Sequence, residues 1–302
     1  MSYLAIESSG GSGAGSGGAG GAGGIASGRL HMTPGRVAAL TIGVPIVLAM
    51  IGWLSLTLVA LLDMESFPVN VTIPVAGKQL TAQIDGNVTV RQQAGVSNGK
   101  LTGIAKYNLI RPSVTTSRTA TGWRVGYRCD IGVGDCTLNG TLVVPSQASL
   151  SLDTAGGDVS MASYTGMLTL DLAGGNLNAG TLTGSQIQVK SYGGDVTVNT
   201  LDAPVLLDTD GGNINIQAVT SPAGGTVRSY GGDVTMTFTK VPGGLEIDSY
   251  GGNVQLTLPG HHYLYDVHTD GGSQHIPSSA DGAQDRITVN SDGGDVSITE
   301  AS

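Results

Sequence analysis

The chain has 302 residues, of which 49 are glycine, 12% are charged and 4% are aromatic. This composition differs from that of an ordinary helical enzyme and from that of a highly charged disordered protein. Lysine and arginine number 14 against 23 aspartates and glutamates, and the formal charge of −9 repels nucleic acid phosphates, so we exclude a nucleic acid partner.

The first 36 residues contain the tract GGSGAGSGGAGGAGG at positions 10–24. This tract has no apolar period and cannot bury enough surface to offset the entropy lost on ordering its backbone. A GxGxxG match inside it is expected by chance, because no strand pattern precedes it and no GK[ST] follows. Residues 1–36 are therefore predicted to form a disordered tail.

Residues 37–62 contain no charged side chain over 26 positions, whereas a helix needs only about 20 residues to cross a bilayer. We expect a transmembrane helix that contacts membrane lipid. Arg29 and Arg36 precede the segment, and Asp63 and Glu65 follow it. Because cationic flanks stay in the cytoplasm, the expected topology is a single pass through the plasma membrane with the C-terminal domain outside the cytoplasm.

Residues 63–148 contain short strand-like runs such as NVTIPV at 70–75, and we expect a β-rich cap next to the membrane. The chain's two cysteines, Cys129 and Cys136, lie in this segment. A disulfide between them is the simplest use in an oxidising compartment. Free buried thiols, or metal or redox chemistry, are the alternatives.

Residues 149–302 contain a glycine pair that recurs every 18–22 residues, as in SYGGDV at 191–196 and 229–234. A period near 20 with strand-like composition predicts a solenoid, so the expected fold is all-β, a single-stranded β-solenoid of about eight coils. Apolar residues recur at alternate positions on both sides of each pair and should face inward. The glycines should allow either left-handed backbone angles or close approach between coils.

Outward positions also form columns. Directly after the glycine pairs, aspartate alternates with asparagine from Asp158 to Asn253, followed by Ser273 and Asp295, which favours hydrogen bonding at the corners over a calcium site. Three positions before each pair, the charge alternates in sign from Asp171 to His268, which favours correct register. The last coil, near Ile298, should present an open strand edge.

Candidate site residues are few. Tyr192, Tyr230 and Tyr250 precede glycine pairs, and Tyr230 should stack on Tyr250 in the next coil; corner packing is the alternative to a surface-binding role. His261, His262, His268 and His275 lie near Asp266 and Asp270, but solvated surface positions explain them better than a metal cluster. We assign no catalytic, cofactor-binding or metal-binding residue, and the H-E-x-x-H and P-loop patterns are absent from the sequence.

The motifs RCDIGVGDC, LVVPSQASLSLDTAGGDV (142–159) and LTLPGHHYLYDVHTDGG (256–272) resemble the bacterial putative-adhesin family of membrane-associated β-strand-repeat proteins, a domain of unknown function of actinobacterial type. In members of this family the corner usually has the sequence Ser-Gly-Asp, whereas in this chain it contains Gly-Gly. The resemblance implies a non-enzymatic surface module that binds an envelope protein or a cell-wall polymer. An envelope-stress signalling accessory is the alternative, a polysaccharide-active enzyme is less favoured, and homo-oligomerisation is left open.

Overall fold

The computed structural model describes residues 44–55, 64–75, 78–108, 111–128 and 136–301. The chain divides into two units, Met1–Ser55 and Leu56–Ser302. In the first unit, residues 44–55 are helical. No helix within the described ranges combines the length and the hydropathy needed to cross a membrane. The predicted tail, 1–36, and the remainder of the predicted membrane segment, 37–43 and 56–62, lie outside the described residues.

The second unit is all-β, as predicted, and its described strands are β1 (Glu65–Ile73), β2 (Gln79–Ile84), β3 (Val88–Gln93), β4 (Gly99–Tyr107), β5 (Ser113–Arg118), β6 (Gly122–Arg128), β7 (Cys136–Pro145), β8 (Leu150–Ala155), β9 (Val159–Thr165), β10 (Leu168–Ala173), β11 (Leu177–Thr183), β12 (Ile187–Ser191), β13 (Val196–Asp202), β14 (Val205–Thr209), β15 (Ile214–Val219), β16 (Gly225–Ser229), β17 (Val234–Phe238), β18 (Leu245–Ser249), β19 (Val254–Pro259), β20 (Tyr263–Thr269), β21 (Gln274–His275), β22 (Asp285–Ser291) and β23 (Val296–Ala301). They form two long sheets. The order in the first sheet is β1-β4-β7-β3-β9-β11-β13-β15-β17-β19-β23-β21, and in the second it is β20-β22-β18-β16-β14-β12-β10-β8-β2-β6-β5.

From β8 to β19, consecutive strands alternate between the two sheets, and each strand up to β17 pairs in parallel with the strand two places later in the chain. One coil therefore contributes one strand to each sheet, and a glycine pair lies between the two strands. This arrangement is a β-solenoid, as the repeat predicts.

The core lies between the two sheets and is built from the predicted apolar columns. In the coil of β10 and β11, for example, Leu170, Leu177 and Ala179 are each at most 1% exposed. A fully buried aliphatic side chain contributes about 1.5–3 kcal/mol. Because no coil can cover its own apolar face, stacking on the neighbouring coils stabilises the fold.

The coils at the C-terminal end are not stacked in chain order, which the sequence did not predict. The coil of β22 and β23 lies between that of β18 and β19 and that of β20 and β21. Val296 and Ile298 continue the apolar columns of β19, whereas Gln274 of β21 is exposed. The open edge predicted near Ile298 is covered only in part, because β21 pairs with Val296 and Ser297 of β23 and not with Ile298.

The N-terminal end shows a similar change of order. Strands β2 and β3 pair in parallel with β8 and β9, and β6 and β7 lie beyond them in the same two sheets. Antiparallel strands are then added at this end, with β4 and β1 following β7 and with β5 following β6. Strands from the segment predicted to be a cap thus continue both sheets of the solenoid.

Candidate functional site

The second glycine of each pair allows the backbones of neighbouring coils to approach closely. A Cβ built on Gly232 would lie 2.1 Å from the carbonyl oxygen of Gly212, and equivalent contacts of 1.9–2.1 Å recur along the stack. The first glycine has positive φ in three of the pairs only, at Gly156, Gly174 and Gly271, where φ lies between +75° and +109°. Close approach between coils therefore explains the second glycine of every pair, whereas left-handed backbone explains the first glycine in these three pairs alone.

A buried hydroxyl closes most of these corners. The Ser229 Oγ donates a hydrogen bond to the carbonyl oxygen of Gly232 at 2.7 Å. The same bond is made by Ser191, Thr209, Ser249 and Ser291, at 2.8–3.2 Å. The serine in SYGGDV is therefore a structural residue that ties the strand before the glycines to the turn.

The aspartates and asparagines after the glycine pairs form a continuous hydrogen-bonded ladder. Oδ1 of Asp195 accepts hydrogen bonds from the backbone N–H and the Nδ2 of Asn213, at 2.8 and 3.2 Å. Oδ1 of Asn213 in turn accepts from the backbone N–H of Asp233 at 2.9 Å. Equivalent bonds link Asn139, Asn87, Asp158, Asn176, Asp195, Asn213, Asp233, Asn253, Asp295 and Ser273. The predicted corner hydrogen bonding is confirmed.

We call the outward residues directly before the glycine pairs the corner ridge. Backbone hydrogen bonds of 2.8–2.9 Å between successive coils fix their spatial order as Tyr192, Asp210, Tyr230, Tyr250, Asp292 and Asp270. Because neighbouring strands lie about 4.8 Å apart, the ridge presents one side chain at each such step. Three aromatic rings and three carboxylates therefore share one line on the surface.

Tyr230 and Tyr250, which we call the tyrosine pair, stack as the sequence predicts. Their ring centroids are 4.8 Å apart and their planes are inclined by 6°. The two residues are 50% and 47% exposed. Stacked aromatic rings at this spacing attract each other by about 0.5–1.5 kcal/mol beyond their buried area. The pair is therefore a preformed aromatic surface that faces solvent.

Tyr192 has a different neighbourhood, because the Nζ of Lys190 lies 4.7 Å from its ring centroid. The hydrogen bond and the charge interaction with Tyr192 raise the pKa of Lys190, which keeps its ammonium group protonated. One face of this ring is thus covered by a cation from the same strand and turn. The structure does not stack Tyr192 on the tyrosine pair, since Asp210 lies between Tyr192 and Tyr230 on the ridge.

The charged column three positions before the glycine pairs confirms the predicted alternation only as far as Asp248. Strand register places Asp171, Lys190, Asp208, Arg228 and Asp248 side by side in that order. The Nε of Arg228 lies 3.5 Å from the Oδ2 of Asp248.

Beyond Asp248 the prediction is wrong, because the inserted last coil places Asn290 between Asp248 and His268. The Nδ2 of Asn290 donates to the Oδ1 of Asp248 at 2.9 Å. At the other end of the column, Asp153 lies beside Asp171. Burial and then the charge of Asp153 raise the pKa of Asp171.

The sequence of residues 69–299 matches the Toastrack DUF4097 family. The chain belongs to this Toastrack family. The match covers both sheets and the whole corner ridge, so the ridge is part of the Toastrack domain.

Solved structures are similar to this chain at low sequence identity. A crystal structure of a putative adhesin from Bacteroides fragilis is 15% identical to this chain, with a TM-score of 0.51 over 78% of this chain and 97% of that one. A putative adhesin and a putative lipid binding protein from Parabacteroides distasonis are 14% and 12% identical, with TM-scores of 0.47 and 0.46 and the same coverage. No curated protein matches the sequence.

The other candidate residues lie apart from the ridge. Within the residues that the structure describes, no three His, Cys, Asp or Glu side chains are grouped closely enough to hold a metal ion. His261 Nε2 lies 2.9 Å from Asp285 Oδ2. Cys136 is not free, and its Sγ lies 3.3 Å from the hydroxyl of Tyr127. Cys129 lies outside the described residues, so the bridge between the two cysteines stays a prediction.

The Toastrack domain also has a shallow polar groove that the sequence did not predict. Its volume is about 430 Å³, and it is lined by Asn87, Thr89, Thr102, Gly103, Asn139, Gly140 and Thr141. The groove forms because β3, β7 and β4 are neighbours, although Asn87 and Asn139 are separated by 52 residues in sequence. The N-x-[ST] sequons at these two asparagines were the only signal in the sequence, and both side chains are hydrogen-bonded to each other at 2.8 Å.

Proposed function

We propose that this chain is a non-enzymatic binding module of the cell envelope that adheres to an envelope protein or a cell-wall polymer through its corner ridge. The observation that carries the proposal is the tyrosine pair, in which two stacked rings are each about half exposed. Aromatic side chains are enriched at recognition surfaces because they offer a large contact area with little conformational freedom to lose. The name of the similar structure from Bacteroides fragilis, a putative adhesin, agrees with a binding role.

A binding role also fits the way the carboxylates are used. Hydrolysis of a polysaccharide needs two carboxyl groups held about 5–9.5 Å apart, with the pKa of one of them raised. In the ladder, the carboxylates of Asp158, Asp195 and Asp233 instead accept hydrogen bonds from the next coil and alternate with asparagines. The carboxylates of the ladder therefore stabilise the corners of the solenoid.

We further propose that residues 37–62 anchor the module in the plasma membrane and that the solenoid lies outside the cytoplasm. In the described part of that segment, residues 44–55 are helical, and large apolar side chains from Val44 to Leu54 are 45–71% exposed. Exposed apolar side chains on a helix are stable when lipid or another apolar surface covers them. A disulfide between Cys129 and Cys136 belongs to the same proposal, because disulfides persist outside the cytoplasm.

The test is photo-crosslinking of the full chain in native membranes, followed by identification of the captured component. The wild type is compared with Tyr230→Ala/Tyr250→Ala and with the control Ile104→Ala, which removes a side chain that is 55% exposed on β4. We expect the double variant to lose the crosslinked component and the control to retain it. Equal capture by all three chains would remove the corner ridge as the binding surface, and a captured kinase would favour signalling over adhesion.

A further inference from the structure

Two aromatic rings in this structure already carry a cation from the same chain. Lys190 Nζ lies 4.7 Å from the centroid of Tyr192, and the guanidinium carbon of Arg111 lies 4.2 Å from the centroid of Phe67. A cation over an aromatic face is attracted by the negative potential of the π system. The corner that contains Tyr192 thus shows that a tyrosine before a glycine pair can hold an ammonium group.

The tyrosine pair lacks such a cation. Within the described residues, neither Tyr230 nor Tyr250 has a lysine or arginine over its ring, because the structure places cations only over Tyr192 and Phe67. The position that Lys190 occupies relative to Tyr192 is occupied by Asp248 relative to Tyr250. Arg228, in the corresponding position relative to Tyr230, makes an ion pair with Asp248. The rings stack on each other through one face, so each keeps an outer face over which no cation of the described residues lies.

Carboxylates flank both outer faces. Asp210 precedes Tyr230 on the corner ridge, and Asp292 and Asp270 follow Tyr250. Among the described residues, none of these three aspartates makes an ion pair, since the ion pairs present involve Asp248, Asp266 and Asp285. Two residues of the ladder that follow the glycine pairs after Tyr230 and Asp292, namely Asp233 and Asp295, are also negative. This combination of a ring face and an unpaired carboxylate favours a cation on each side of the pair.

We infer that the tyrosine pair and its flanking aspartates bind a lysine- or arginine-rich segment of a partner protein, an inference that rests on the proposed function of the corner ridge. Asp210 and Asp292 are three strand spacings apart, about 14 Å. An extended chain covers this distance in about four residues. A short extended basic segment can therefore place one cation against Asp210 and Tyr230 and another against Tyr250 and Asp292.

The inference is tested with the full chain in a neutral detergent and three fluorescent peptides of equal length, which are octa-lysine, octa-glutamine and octa-glutamate. Fluorescence anisotropy measures the dissociation constant at low salt and at about 0.5 M salt. The variants are Tyr230→Ala/Tyr250→Ala, Tyr230→Phe/Tyr250→Phe and Asp210→Asn/Asp292→Asn. The control is Ile104→Ala, which removes an exposed side chain of β4 outside the corner ridge. Thermal melting of each variant shows whether it is folded.

We expect octa-lysine to bind and the other two peptides not to bind. Loss of both rings should weaken binding by about fourfold to twenty-fivefold, because an exposed cation–aromatic contact contributes a factor of about two to five per ring. The phenylalanine pair should bind like the wild type, the Asp210→Asn/Asp292→Asn variant should bind more weakly with a smaller salt dependence, and Ile104→Ala should change little.

Equal binding of octa-lysine and octa-glutamine would overturn the inference, as would a ring-to-alanine variant that binds octa-lysine like the wild type. If octa-lysine does not bind while the crosslinking in native membranes still depends on the tyrosine pair, the cationic partner is wrong and the corner ridge remains the binding surface. If the crosslinking is also independent of the pair, the proposed function of the ridge is wrong.

Discussion

Replacement of Gly232 by alanine should displace a whole corner of the solenoid. The added Cβ would lie 2.1 Å from the carbonyl oxygen of Gly212 and 2.4 Å from its carbon, whereas an ordinary contact needs 3.4–4 Å. The obstacle is backbone, and it belongs to the neighbouring coil, so it cannot rotate away as a side chain can. The two strands would have to separate by more than 1 Å at a point where the sheet spacing is about 4.8 Å.

The expected cost is at the upper end of the range for overpacking. Extra methyl groups in a well-packed site usually cost about 1–3 kcal/mol, and here the displaced strand also strains the hydrogen bonds of its corner, so we expect about 3 kcal/mol or more. For a domain of this size, each kcal/mol lowers the melting temperature by about 2–4 °C, so the expected shift is roughly 6–12 °C. The assay is thermal melting of the full chain, monitored by circular dichroism.

The neighbouring residue provides a matched control. A Cβ on Gly231 would lie no closer than 3.8 Å to any atom of another coil, and Gly231 is not among the glycines with positive φ. Gly231→Ala should therefore leave the melting temperature unchanged or raise it slightly, since alanine restricts the unfolded chain. If Gly232→Ala melts within about 1 °C of the wild type, or if both variants are destabilised equally, close coil approach is not the reason for the second glycine.

Three further changes test the corners. Asn213→Asp removes the Nδ2 donor to Asp195 and places a carboxylate between two others, so it should destabilise the fold by about 1 kcal/mol at neutral pH and less in high salt, as measured by urea unfolding. Ser229→Ala removes a buried 2.7 Å hydrogen bond and should cost about 1 kcal/mol, whereas Thr154→Val should cost little, because the buried Thr154 Oγ1 has no hydrogen-bond partner in the structure. Hydrogen bonds from the next coil lower the pKa of Asp295 below its ordinary 3.8. The stability that this carboxylate contributes is therefore present above about pH 4, and it is lost as the pH falls through the lowered pKa.

Each of these expectations has an outcome that would contradict it. If Asn213→Asp does not lower the free energy of unfolding at low salt, the alternation of aspartate and asparagine has no energetic role. Equal losses for Ser229→Ala and Thr154→Val would mean that hydroxyl packing, rather than the bond to the turn, stabilises the corner. If an NMR titration shows that Asp295 ionises at its ordinary pKa, the expected pH dependence of stability from this carboxylate is wrong.

The sequence predicts the coils well because their physics is local. Period-2 apolar positions such as Leu170 and Val196 point inward in whatever coil they occupy, and the glycine pair fixes where each coil turns. The stacking of Tyr230 on Tyr250 follows from a 20-residue offset between equivalent positions in adjacent coils. These features need no knowledge of contacts beyond the next repeat.

The periodic pattern does not predict the order in which the coils stack. Every coil offers the same parallel edge, so the pattern alone cannot say that β3 lies between β9 and β7 or that β23 lies between β19 and β21. The polar groove was missed for this reason, since it depends on contact between Asn87 and Asn139 across strands that are distant in sequence. The hydroxyl bond of Ser229 was missed because a serine in a strand usually faces solvent, whereas this residue is fully buried.

A signal for the order was nevertheless present in the ladder. In chain order, the residue after Asn253 in its column is Ser273, which breaks the alternation, whereas in space it is Asp295. The inserted coil lets Asn253 accept from the backbone of Asp295, and Asp295 then accepts both the backbone N–H and the hydroxyl of Ser273 at 2.8 Å. The same insertion buries Ile298 and leaves Gln274 at the exposed end.

Hydrogen bonding at the corner and apolar burial in the core thus favour one order of coils over the other, and neither term alone needs to be large. With about 1 kcal/mol for each hydrogen bond and about 1.5–3 kcal/mol for a buried aliphatic side chain, a few contacts are enough to select the order in which the last two coils stack. Repeats that are nearly identical can still specify a unique arrangement when their polar and apolar columns change at the same coil. The coil with Ser273 and Gln274 changes in both columns, and it is the coil that ends the stack.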